Sequence, residues 1–112
     1  MRTLLKLLCL ATMIGGSATT MAADPAAGKT MAATQCQTCH GLDGIAQIPI
    51  APHLAGESRI YLETQLKAFR SGKRQHEIMS LIAKNLTDEE ISNLAAWYES
   101  INITATLPDP PK

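Results

Sequence analysis

The chain has 112 residues, equal numbers of basic and acidic side chains, and only one Trp, two Tyr and one Phe. That length fits one domain, and zero net charge lacks the basic footprint that a nucleic-acid binder needs. So few aromatic residues leave a thin core, and a domain this small then needs a staple.

Residues 1–23 read as a secretory signal. Arg2 and Lys6 form a positive start, Leu7 to Ile14 a short apolar stretch, and Gly15-Gly16-Ser17 breaks it. Thr20-Met21-Ala22 or Met21-Ala22-Ala23 supplies small residues before a cut. The apolar stretch is too short to span a bilayer, so no stable membrane insertion is expected after removal. Cys9 leaves with this segment. Residues 24–112 remain as one domain. Arg2 and Lys6 are lost and no acid is, so eight basic residues face ten acidic ones, a net charge of −2.

Asp24 and Pro25 suit the N-cap and first position of a helix, predicted over Pro25 to about Thr34. Gly28 inside it costs roughly 1 kcal/mol against Ala. With Ala32 it forms a small-residue stripe that lets another helix approach closely.

Cys36-Gln37-Thr38-Cys39-His40 follows. Two cysteines two apart with His directly after them form the attachment pattern for c-type haem. Each thiol can add to one vinyl group, and His40 can take one axial position on the iron. A zinc site would need a further Cys or His pair, and a thioredoxin-like CxxC would need a βαβ pattern; the sequence offers neither. There is no second CxxCH, so one haem is expected. Covalent haem would be the missing staple, and its attachment outside the bacterial cytoplasm agrees with a signal segment.

Gly41 to Gly44 is a turn cluster, and the stretch on to Ala55 has no helical period. A haem-ligating His gives its other ring N–H to a carbonyl, and the Pro52 loop is a stiff way to offer one. A second helix is predicted over Glu57 to Ser71, with Leu62, Leu66 and Phe69 on one face and Gly72 ending it. Lys67, Arg70, Lys73 and Arg74 make a basic cluster, read as a solvated helix end or as a docking patch or haem-propionate partners. Gln75 to Lys84 reads as a polar, weakly helical loop that presents Met79. A last helix runs from Thr87 to about Ile101. Thr87 and Glu90 form a capping box, with Leu86 and Ile91 in the staple positions. Leu107 to Lys112 is irregular.

Met79 is the only methionine after the haem motif. It competes with His76 and His53 for the second axial site, and with the plain role of core filler. Its distance along the chain from His40 and its place between two helices favour it as the ligand. Met31 lies on the helix leading into the motif and reads as core.

The chain resembles a class I c-type cytochrome, of the small periplasmic monohaem kind and of each half of two-haem relatives. The resemblance covers roughly residues 25–101. It rests on Ala27-Gly28-Lys29, the CxxCH, Gly41 with Gly44, and Pro52-His53-Leu54-Ala55-Gly56. It continues through Tyr61-Leu62, Gln65-Leu66, Phe69-Arg70, Gly72, Arg74 and Met79 to Leu86–Ile91 and Leu94–Tyr98. It implies an all-α cytochrome c fold, roughly three to five short helices around one haem c. Cys36 and Cys39 would hold that haem, with His40 and Met79 as axial ligands. It further implies that the Pro52 carbonyl accepts from the His40 ring and that Leu54 packs on the haem. Gly28 and Ala32 would cross the last helix at Leu94 and Trp97. Glu57, where the family often has Gln, is a departure without consequence for the site.

The function this implies is one-electron transfer in the periplasm, not enzymatic catalysis. The donor would be a quinol-cytochrome c reductase or a dehydrogenase, and the acceptor a terminal oxidase. Two other readings stand beside it: a haem subunit of a dedicated dehydrogenase complex, and a haem sensor or peroxidase with a labile sixth ligand.

Overall fold

The computed structural model of the chain describes residues 21–110. These form five helices: α1 Pro25–Gln35, α2 Gln37–His40, α3 Arg59–Ser71, α4 Met79–Ala83 and α5 Asp88–Glu99. No strand occurs among the described residues. The expected signal segment, with Arg2, Lys6 and Cys9, lies outside them except for residues 21–23, which have no regular structure.

The helix ends follow from local chemistry. The Asp24 carboxylate accepts the Ala26 N–H at 2.8 Å, and Pro25 occupies the first turn. Asp24 also donates its own N–H to Asn93 Oδ1 at 2.7 Å, which ties the entry of α1 to α5. Helix α3 starts later than the periodicity predicts. The Ser58 hydroxyl caps it by accepting the Tyr61 N–H at 3.2 Å, while the Glu57 carboxylate turns back to accept the Ser58 N–H at 2.8 Å. Gly72 ends it in the left-handed region at φ 81°. At α5 the capping box is closed on both sides: Thr87 Oγ1 accepts from Glu90 N at 3.2 Å, and Glu90 Oε2 from Thr87 N at 2.7 Å. Helix α5 stops at Glu99, short of Ile101, and residues 101–110 are irregular.

One expectation needs correction. The stretch around Met79 is not simply a loop, because Met79 is the first residue of α4. The run Met79-Ser80-Leu81-Ile82-Ala83 lacks Gly and Pro, and it closes one short turn of helix between two polar segments.

Helices α1 and α5 form the most extensive helix pair, and α3 packs on α5 beside them. The core consists of Ala32, Leu62, Phe69, Ala83, Leu86, Ile91, Leu94, Ala95 and Tyr98, with Ile91 wholly buried. Each large side chain here contributes roughly 1.5–3 kcal/mol by leaving water. Gly28 marks the closest approach of α1 to α5. A Cβ placed there would lie 1.9 Å from Asn93 O and 3.0 Å from Trp97 Cβ. The helix thus tolerates a glycine because a backbone carbonyl occupies the place of its side chain.

Two neighbouring aromatics of α5 reach the turn that follows the CxxCH. Trp97 Nε1 donates to Leu42 O at 3.0 Å, and the Tyr98 hydroxyl donates to Gly41 O at 3.1 Å. Burial pushes the Tyr98 phenol above its ordinary value, and the nearby Cys36 adds to this.

Gly28→Ala should destabilise the haem-loaded chain by about 2 kcal/mol in urea titration, since the strain of overpacking exceeds the gain in helix propensity; an unchanged or raised midpoint would contradict the close approach. Tyr98→Phe should cost about 1 kcal/mol at neutral pH for the lost hydrogen bond. Its phenol is neutral in the fold, so Tyr98 contributes fully below its ordinary pKa of 10.0 and less as pH rises above it. The difference between wild type and variant should therefore shrink above that pH in paired melts, and a gap that widens there would contradict this assignment.

Candidate functional site

Helix α2 is a single turn that carries Cys39 and His40, with Cys36 as its N-cap. His40 is buried, and its Nδ1 lies 2.9 Å from the Pro52 carbonyl oxygen. A carbonyl can only accept, so Nδ1 carries the proton and the lone pair resides on Nε2. The loop that brings Pro52 there is itself pinned at Gly44, which adopts φ 76°. Gly44 O accepts from Leu54 N at 2.7 Å and from Ala55 N at 3.1 Å. A Cβ on Gly44 would meet Ala55 N at 2.4 Å, so only glycine allows this contact.

Cys36, Cys39, His40, Pro52, Leu54 and Met79 all line one cavity of about 380 Å³. Leu62, Leu66, Phe69, Leu94 and Tyr98 supply further apolar wall. Met79 and Leu54 are half-buried and packed against the core. The structure thus brings these six candidate haem-site residues onto one cavity.

The cysteines are free and half-buried. Burial pushes the Cys36 thiol up to about 11, opposed by a hydrogen bond with Tyr98 and assisted by Cys39. No three His, Cys, Asp or Glu side chains converge as metal ligands among the described residues. What does fit is a flat, apolar, covalently tethered group: two thiols spaced along one turn, an oriented imidazole, a thioether, and a wall of Leu and Phe.

His53 lines the cavity too, but its Nδ1 accepts the Ala46 N–H at 2.8 Å and braces the loop. In the basic cluster, Arg70 is committed elsewhere, to Leu86 O at 2.8 Å and Asp88 Oδ1 at 2.6 Å. That pair holds the Asp88 carboxyl below its ordinary range. Lys67 lies 4.0 Å from Glu63. Arg74 alone of the four reaches the cavity, its guanidinium 4.6 Å from the Phe69 ring centroid and bonded to Gln65 Oε1 at 2.7 Å.

The roles of Trp97 and Tyr98 as donors to the turn after the CxxCH escape a sequence reading. The available signal is two adjacent aromatics with polar tips on a largely buried helix, each needing a partner.

Residues 25–102 match the family model for cytochrome c. The chain is 44% identical to cytochrome c-554(548) of Halomonas halodenitrificans over 82 residues, 70% of this chain and 98% of that one. It is 43% identical to a thiosulfate dehydrogenase electron acceptor of Stutzerimonas stutzeri over 75 residues, 66% of this chain and 35% of that one. Among solved structures, reduced cytochrome c4 from Pseudomonas stutzeri superposes with a TM-score of 0.66 at 31% identity, covering 72% of this chain and 47% of that one. The chain thus spans nearly all of the first relative and less than half of the other two. With an all-helical fold, a CxxCH turn and a cavity shaped for its cofactor, the chain belongs to the cytochrome c family and binds one haem c through Cys36 and Cys39.

Proposed function

We propose that this electron-transfer protein works in the periplasm as a carrier, with a signal peptide over residues 1–23 and a cytochrome c domain over 24–112. His40 and Met79 are the residues that would hold the haem iron. The observation that carries this reading is the His40 Nδ1 to Pro52 O hydrogen bond, which fixes an imidazole lone pair on the cavity that Met79 also lines. Haem bound here supplies a reversible one-electron couple at its iron.

The chain's own residues tune and protect that couple. Pro52 holds the His40 ring in one tautomer and one orientation. Met79 offers a neutral, polarisable sulfur that favours the reduced metal more than a second imidazole does. Leu54, Leu66 and Leu94 keep water from the cavity wall. With both side chains holding the metal no position would remain for a substrate, which supports a carrier rather than an enzyme. No helix among the described residues is long and apolar enough to cross a membrane, in keeping with a carrier that diffuses between partners. A quinol-cytochrome c reductase or a dehydrogenase is the donor and a terminal oxidase the acceptor, met through small transient contacts.

A second reading, as the haem subunit of a dedicated dehydrogenase complex, is favoured by the rim of the cavity. Ile50 there is 70% exposed, Tyr61 49% and Ile78 43%, an apolar margin that a permanent partner would cover. A catalytic subunit co-purifying in fixed ratio would support this reading; a monomer on gel filtration of the native extract supports the free carrier.

Met79→Ala tests the ligand assignment. The ferric wild type should show the weak far-red band of thioether ligation. The variant should lose that band, bind cyanide faster and have a lower midpoint potential. A variant with the wild-type spectrum, or a wild type that is high-spin, would overturn the reading.

A further inference from the structure

We propose that His76 is the positioning residue for Met79. This rests on the reading of Met79 as an axial ligand. Helix α4 is only five residues long and Ile78 at its N-cap makes no side-chain cap. His76 fills that gap. Its Nδ1 accepts from Ile78 N and Met79 N, both at 3.3 Å, and its carbonyl accepts from Ser80 N at 2.9 Å. Ser80 Oγ in turn accepts the His76 N–H at 3.0 Å. Together these satisfy the N–H groups of Ile78, Met79 and Ser80, which the short helix cannot reach itself. The arrangement resembles a capping box, but its acceptor is an imidazole two residues before the N-cap.

The imidazole is held from the other side by Phe69, whose ring stands edge-on to it at 6.4 Å and 72°. Phe69 is buried in the core and also lines the cavity. His76 therefore couples a fixed core ring to the backbone of Met79. The same hydrogen bonds favour Met79 over His76 as ligand. With Nδ1 accepting two N–H groups, the proton of the neutral ring sits on Nε2. The ring as placed offers no lone pair to a metal, and the thioether of Met79 does.

The test uses the haem-loaded protein with His76→Leu, which keeps apolar bulk against Phe69 and removes the acceptor, and His76→Asn, which restores an acceptor of the capping class. Amide exchange of Met79 and Ile78, and the rate at which imidazole displaces the ligand in the ferric state, are read in each. His76→Leu should raise both about tenfold at an unchanged global melting temperature, the scale of a lost cap. His76→Asn should bring both back towards wild type. Wild-type rates in His76→Leu would overturn the proposal, as would equal acceleration in His76→Asn. If the wild type itself lacks the far-red thioether band, Met79 is not the ligand, and the reading on which His76 depends fails instead. Accelerated exchange without faster displacement would make His76 a helix cap only and would also overturn its positioning role.

Discussion

The hydrogen bond from His40 Nδ1 to the Pro52 carbonyl is the constraint on which the site depends. It gives a histidine in a one-turn helix a single tautomer with a defined lone pair. It demands that the 41–56 loop return to α2 at one place, which Gly44 makes possible by letting the backbone of Leu54 and Ala55 approach without a side chain between. The loop has no regular structure, yet its position is set by hydrogen bonds at both ends. Gln47 N donates to Cys39 O at 2.8 Å, and Gly56 N donates to Tyr98 O at 2.9 Å.

The rest of the fold supports that geometry with little material. Few of the described residues are fully buried, and among them only Ile91 of the larger side chains is completely so. Stability comes from α1 lying directly on α5 at Gly28, and from Trp97 and Tyr98 fastening α5 to the turn after His40. The haem completes the core, since its cavity is walled by the side chains of α3 and α5 that would otherwise form the centre of the domain. A covalent tether suits so small a fold because the cofactor is structural as well as functional.

Much of this could be read from the residues. The Thr87–Glu90 capping box, the Asp24 cap and the Gly72 terminus are local, because each depends on groups within one turn of chain. The CxxCH carried the haem attachment, and the lone downstream methionine supplied the proposed second ligand. What escaped was non-local or competitive. The start of α3 turned on whether Ser58 or Glu57 would bond the first turn, and Ser58 won. The helix at Met79 was hidden because its cap is a histidine, a residue that sequence rules do not rank as an N-cap. The turn contacts of Trp97 and Tyr98 join residues far apart in the chain, and no periodicity reports them.

The central claim is that Met79 and His40 close the metal from its two sides. Proton NMR of the reduced protein, with the methionine methyl groups labelled, tests it most directly. Met79 and Met31 are the two methionines beyond the expected signal segment. The Met79 methyl resonance should be displaced far upfield by the haem ring current while that of Met31 stays near the ordinary methyl region. Both methyl groups in the ordinary region would contradict it.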